Sequence, residues 1–128
     1  MPKTPIIPEN SPPPLAPYSP GVRAGDTIYV SGVLPIGPDG KCVAVGDVAG
    51  QTRYVIETIR AVLAADNASL SDIAFNQIFL RNLDDYAAMN AVYAEYFPEA
   101  PPARYCIRAD LVREEFLVEI AATAYVGA

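Results

Sequence analysis

The chain contains no histidine. That removes every Ser–His and Cys–His nucleophile pair. It also removes the commonest zinc ligand, and Cys42 and Cys106 are too few and too far apart in sequence for a thiolate site. We expect no metal and no cofactor. Chemistry is left to carboxylates, tyrosine, arginine, lysine, backbone groups and water. Arg104 suits a bidentate grip on a carboxylate; the alternative is an interface salt bridge. Glu119 interrupts an apolar run. Desolvation would raise its pKa and fit it to hold or activate water, or to pass protons; the alternative is pairing with Arg104 or Arg108 across a subunit interface, and the two roles can coexist. Cys106 has no visible activating base and reads as an inert buried thiol. Tyr18 either closes a cleft and orients water or simply packs. Ser31 offers a hydroxyl and Gly32 a backbone donor, with glycine permitting close approach. Asn90 reads as mostly structural, a buried amide that needs partners and supports the cleft. Asp84 and Asp85 are a helix-start charge pair rather than a catalytic dyad.

These residues must be positioned by a small set of elements. Prolines crowd the first twenty residues. They impose an extended, irregular path across the body, with a short strand at Thr4–Ile7. Thr27–Val33 is a strand by its β-branched and aromatic content. Asp47 caps a helix to about Ala65, with Val55, Ile56, Ile59, Val62 and Leu63 at helical spacing. Arg53 and Arg60 fall on its solvent side. Ile73–Arg81 is a strand. Asn82 caps a second helix to about Phe97, whose inner face carries Leu83, Tyr86, Met89, Asn90 and Tyr93. Ala103–Ala109 is a strand, Leu111–Glu115 a turn and Phe116–Val126 the last strand.

The order is β-β-α-β-α-β-β, an α+β arrangement with both crossover helices following a strand. Right-handed crossovers place both helices on the same face of one sheet. Period-two alternation then assigns faces. Val118, Ile120, Ala122, Ala124 and Val126 lie under the helices, with Tyr105, Ile107, Ala109, Ile28 and Val30. On the bare face fall Glu119, Arg104, Cys106, Arg108, Tyr29, Ser31 and Val33. Such a partly apolar face is rarely exposed by a monomer, so a second subunit covers it and the polar groups form a site at that boundary.

The 128 residues fit one domain, spanning 1–128, with no linker or repeat, and 52% apolar content supports a full core. The net charge is −6 and the nine basic residues are scattered. Nucleic-acid binding needs clustered cations, so no nucleic-acid partner is expected. The opening MPKTPIIPEN has no apolar signal region, and no apolar run approaches the ~18 residues of a membrane helix. A soluble cytoplasmic protein without a membrane partner follows, with reduced cysteines.

Several motifs, in order along nearly the whole chain, resemble the Rid (YjgF) family. Pro101-Pro102-Ala103-Arg104-Tyr105-Cys106 resembles its PAR-x-C segment, and Val118-Glu119-Ile120 its last strand. Glu9-Asn10-x-Pro with Ala16-Pro17-Tyr18-Ser19 resembles its opening, Val30-Ser31-Gly32 its central strand, and Asp85-Tyr86-Ala87-Ala88-Met89-Asn90 its second helix. Gln51-Thr52-Arg53, Phe75-Asn76-x-Ile78-Phe79 and Tyr93-Ala94-Glu95-x-Phe97-Pro98 resemble the RutC-type branch, as does Ala16 before Pro-Tyr. The resemblance implies a chorismate-mutase-like fold: one mixed sheet with two helices on one face, and a homotrimer with intersubunit clefts. It implies hydrolysis of small enamine or imine carboxylates. For this branch it implies conversion of 3-aminoacrylate to malonic semialdehyde and ammonia in uracil breakdown. On that pattern Arg104 clamps the substrate carboxylate, Glu119 and Tyr18 handle water and protons, and Cys106 contributes through its backbone. Ser31, Gly32 and Asn90 complete the pocket.

Other functions stay open at this stage. The substrate could equally be 2-aminoacrylate or another imino acid. The same cleft without turnover would be a small-carboxylate binding module, although a second negative charge at Glu119 has no use there unless paired. A ribonuclease disagrees with the charge balance and the missing histidine. A chaperone-like role would need exposed apolar patches in the assembled protein.

Overall fold

A computed structural model describes the chain except for Met1, Asn10, Pro13 and Ala128. Ten elements follow in order: β1 (Thr4–Ile6), β2 (Gly21–Ala24), β3 (Thr27–Val33), α1 (Val48–Ala64), a 3-10 turn (Leu70–Asp72), β4 (Ile73–Leu80), a second 3-10 turn (Leu83–Asp85), α2 (Tyr86–Tyr96), β5 (Ala103–Arg108) and β6 (Val118–Tyr125). The strands form one mixed sheet in the order β1-β2-β3-β6-β4-β5. Only β4 and β5 run parallel; every other pairing is antiparallel. The last strand of the chain is therefore central, and β5 is an edge. The α+β architecture with one mixed sheet and both helices on one face is as expected.

Burial explains the layers. α1 sets Val55, Ile56, Ile59, Val62 and Leu63 against Ile28 and Val30 of β3 and Val118, Ile120, Ala122 and Ala124 of β6, all buried. Each such side chain contributes roughly 1.5–3 kcal/mol by leaving water. Asp47 caps α1, accepting from the Gly50 N–H at 3.0 Å. Asn82 accepts from the Asp84 N–H at 2.9 Å and starts the second helical segment. On the outer surface Arg53 pairs with Glu95 at 2.8 Å and Arg60 with Glu57 at 2.9 Å.

Several expectations need correction. β2 was not foreseen: its four residues carry no alternation, and the hairpin to β3 is made by Gly25 at φ +60°. On α2 the buried residues are Met89, Val92 and Tyr93, while Leu83 and Tyr86 are exposed. The 3-10 turn at Leu83–Asp85 winds three residues per turn and carries them off the inner stripe. Val33 turns toward the core opposite Ile120, because β3 shifts register between Val30 and Val33. The largest correction concerns β5. Its Arg104, Cys106 and Arg108 pair in register with Asn76, Ile78 and Leu80, which are buried under the helices. Arg104 and Cys106 thus lie on the helix side, and Tyr105 and Ile107 on the open side. The apolar parity of β5 was assigned inward, but the open face is itself apolar and takes it.

The described part of the proline-rich opening does lie on the body. Pro8, Pro12, Pro14 and Leu15 face Tyr54, Thr58 and Ala61 of α1 across a shared cavity. Pro13 lies outside the described residues. Among the described residues no helix is long and apolar enough to cross a membrane.

Candidate active site

The expected site residues fall into two groups that one chain keeps apart. Glu119, Gly32, Ser31 and Tyr18 form the first. β3 places Ser31 and Gly32 where its pairing with β6 slips, two residues standing opposite the single Ala121. The slip brings the Gly32 backbone against Glu119: a β-carbon built on Gly32 would collide with Glu119 Oε2 and stand 3.1 Å from its Cδ. Ser31 is tied to the opening segment. Its Oγ donates to the Ser19 carbonyl at 2.6 Å, and its N–H donates to the Pro20 carbonyl at 3.0 Å. Tyr18 therefore sits beside Ser31, with its ring largely exposed. A cavity of about 590 Å³ opens next to Tyr18, Ser31 and Gly32, with mostly apolar walls from α1 and the proline segment. Neither Glu119 nor Arg104 lines it.

Glu119 is half-buried on the open face, opposite Phe79. Burial alone pushes its carboxyl above the ordinary range. No hydrogen bond or ion pair involves that carboxylate among the described residues, so nothing stabilises its charge. A carboxylate held this way exchanges protons nearer neutral pH and suits general acid–base work.

Arg104, Cys106 and Asn90 belong to the second group, on the helix side of edge strand β5. The Arg104 guanidinium lies over the Tyr93 ring at 4.7 Å from its centroid and beside Tyr86 at 5.8 Å. Its Nη2 donates to the Tyr86 hydroxyl at 3.2 Å. No carboxylate pairs with it among the described residues. Arg104 and Glu119 are not paired within one chain; the alternatives considered from sequence lie across a subunit interface. Cys106 is half-buried against the core. Burial raises its thiol pKa and Arg104 lowers it less, leaving the neutral thiol in place. As an edge strand, β5 turns half of its backbone donors away from β4, which leaves main-chain N–H groups for a ligand. Asn90 is half-buried, one helical turn after Tyr86 on the strip that also carries Tyr93.

Sequence reasoning missed the supports. Tyr86 and Tyr93 form the walls around Arg104; Tyr93 is core as expected, whereas Tyr86, also read as core, is exposed. Asn76, buried in β4, donates from Nδ2 to the Tyr93 hydroxyl at 2.9 Å. Its signal was legible: one amide at an inward position of an apolar strand. Gln51 of α1 donates from Nε2 to the Glu115 carbonyl at 2.9 Å and accepts from the Leu117 N–H at 2.8 Å. Arg81 binds the carbonyls of Leu111, Arg113 and Phe116 at 2.7–3.1 Å. Together they fix the turn that launches β6 two residues before Glu119.

The two groups cannot meet in one copy. Arg104 is in register with Asn76 and Glu119 with Phe79, two strands apart. That is roughly 10 Å across the sheet and roughly 10 Å along it. Their side chains also leave opposite faces.

Comparison with known proteins identifies the family of the chain. The family model described as Endoribonuclease L-PSP matches residues 8–126. The 3-aminoacrylate deaminase RutC of Acinetobacter baylyi is 54% identical over 126 residues, covering 98% of this chain and all of that protein. Among solved structures, the Rid-family protein YyfA of Yersinia pestis superposes with a TM-score of 0.89 at 34% identity, over 97% of this chain and 99% of its own. E. coli TdcF, solved with bound serine, gives 0.84 at 31% identity over 94% and 98%.

Proposed function

The chain belongs to the Rid (YjgF) family, and from that premise we propose that it is a hydrolytic deaminase of small enamine carboxylates, acting on 3-aminoacrylate. The observation that carries this reading is the 54% identity to RutC over its whole length. The structure adds a chemically fitting set: an unpaired guanidinium, a desolvated carboxylate and backbone donors at Gly32 and an edge strand.

The reaction follows from those groups. Arg104 grips the substrate carboxylate through its planar fork. Protonation of the enamine at carbon gives an iminium. Water then adds to the C=N carbon, with Glu119 taking a proton from it and Tyr18 orienting it. Glu119 returns that proton to the amine nitrogen, the C–N bond breaks as the hydroxyl proton passes to solvent, and ammonia and malonic semialdehyde leave, a step in pyrimidine (uracil) breakdown. Ser31, Gly32 and the Cys106 backbone donate hydrogen bonds to substrate and water, and Asn90 supports the cleft. No metal ligand set is needed, and among the described residues no three acidic, cysteine or histidine side chains gather as one.

Assembly completes the site. The open face carries Tyr29, Tyr105 and Ile107 exposed, with Phe75 half-buried and Phe79 half-buried beside Glu119. A patch of this kind marks an interface. We place a homotrimer there, chorismate-mutase-like in its packing, in which Arg104 of one copy reaches Glu119, Gly32 and Ser31 of the next. Residues 1–128 act as one Rid domain in this assembly. Both cysteines are free, as the reducing cytoplasm would keep them.

The test is ammonia release from freshly generated 3-aminoacrylate and 2-aminoacrylate, with wild type and Arg104→Ala compared over the spontaneous rate. Acceleration on 3-aminoacrylate that the variant loses is the expected result. Preference for 2-aminoacrylate would reassign the substrate to 2-imino acids. No acceleration on either, from a correctly assembled trimer, would leave a small-carboxylate binding module.

A further inference from the structure

Arg104 is more constrained than a surface cation on an edge strand should be. One face of its guanidinium rests on Tyr93, whose centroid is 4.7 Å away. Tyr93 is buried and its hydroxyl is held by the Asn76 amide at 2.9 Å. Asn76 itself is 1% exposed, and its Oδ1 has no partner among the described residues. Its Nδ2 is committed to the Tyr93 hydroxyl, while an orphaned buried carbonyl costs stability. The amide fixes the ring on which Arg104 lies.

Tyr86 supplies the other restraint. It is 45% exposed, so its position is not explained by core packing. Its hydroxyl accepts from Arg104 Nη2 at 3.2 Å. A guanidinium has five N–H donors in a rigid plane and can offer a carboxylate more than one bidentate edge. Spending one Nη2 proton on Tyr86 removes the edge that contains it. The contact with the Tyr93 ring seats the guanidinium, and the Tyr86 hydroxyl takes one of its donors.

We propose that Tyr86 is a positioning residue that selects which edge of Arg104 meets the substrate carboxylate. The substrate's identity in this statement rests on the deaminase function, but the carboxylate grip does not. Because Tyr86 acts through Arg104, removing its hydroxyl should weaken carboxylate binding only where the guanidinium is present. Tyr86→Phe keeps the ring and the stack and deletes only the acceptor.

The experiment is a double-mutant cycle on the assembled protein, using Tyr86→Phe in the wild-type and Arg104→Lys backgrounds. The first readout is the Kd for acrylate, a stable small carboxylate, by calorimetry; the second is KM and kcat for 3-aminoacrylate. In the wild-type background Tyr86→Phe should weaken acrylate binding and raise KM about tenfold, the scale of a lost hydrogen bond to a charged group, with the smaller change in kcat. In the Arg104→Lys background the same substitution should have no further effect. Equal losses in both backgrounds, or no loss in the wild-type background, would overturn the proposal. Absence of turnover alongside a coupled loss of acrylate binding would remove the deaminase function and leave the role of Tyr86 standing.

Discussion

The carboxylate of Glu119 occupies the space that any side chain at Gly32 would need. A β-carbon there would overlap Oε2 and lie 3.1 Å from Cδ and 3.5 Å from Cγ. Gly32 is not one of the positive-φ glycines, so a larger residue is opposed by the Glu119 side chain, which would have to move, and not by backbone conformation. The pair thus fixes the carboxylate next to a bare main chain, where a substrate can approach both. Gly32→Ala should displace the carboxylate and lower kcat/KM by about 100-fold, the order expected for an ångström-scale misplacement. Stability should fall by about 1–3 kcal/mol through overpacking. Adding Glu119→Asp, which shortens the intruding side chain, should restore the melting temperature without restoring the rate. Full activity in Gly32→Ala would remove the carboxylate from the mechanism.

Burial raises the Glu119 pKa, and this has a sign in stability as well as in rate. The native state binds this proton more tightly than the unfolded chain. Stability is therefore lost as pH rises from the ordinary glutamate value, about 4.3, through the raised native value. Glu119→Gln removes that loss. Its melting temperature should gain on wild type as pH rises through this window and then hold a constant lead. The rate should move the other way, with kcat/KM falling by about 100-fold or more and losing the limb that rises with pH in wild type. Parallel melting curves at all pH values would mean that the ionised carboxylate is not destabilised in the folded protein.

Much of this site was legible in the sequence, and the part that was not has a physical cause. Glu119 stood out because a charge broke an apolar alternation, and Gly32 and Ser31 because they closed a strong strand. The side of the sheet on which Arg104 lies was not legible. Alternation gives the parity of a strand, but the inward parity was chosen as the more apolar one. Tyr105 and Ile107 are apolar because the open face is an aromatic surface, where Tyr105 meets Phe75 and Phe79 edge-on with centroids 5.7 and 6.3 Å away. Pairing with buried Asn76 and Ile78 decides the matter, and that register is not written in β5 itself. Tyr86 was read as core because helical spacing was counted through a 3-10 turn.

Cys106 offers a test of what the edge strand contributes. Its thiol is raised by burial, and Arg104 only partly opposes this, so the nucleophilic thiolate is disfavoured. The main chain at this position should matter more than the sulfur. Cys106→Ser is expected to keep kcat/KM within about a factor of ten of wild type and to show an unchanged rate after treatment with a thiol-blocking reagent. A folded protein with no activity would assign the sulfur a direct part in the reaction.

Two adjacent buried side chains on α1 should respond to substitution in opposite ways. Gln51 satisfies the Glu115 carbonyl and the Leu117 N–H, and it also donates to the Ala44 carbonyl at 3.3 Å. Gln51→Leu leaves these part-buried groups without their partner, at about 1–3 kcal/mol in all, and frees the turn from which β6 starts. The melting temperature should fall by roughly 10 °C, and because Glu119 lies two residues beyond Leu117, kcat should fall with it. Thr52 is equally buried, but its Oγ1 has no partner among the described residues. Thr52→Val is close in shape and removes an unsatisfied hydroxyl, so stability should hold or rise by about 1 kcal/mol. Thermal melts of both variants distinguish the cases. If Thr52→Val also melts early, a buried water bonds its hydroxyl and the side chain contributes to the core through that water.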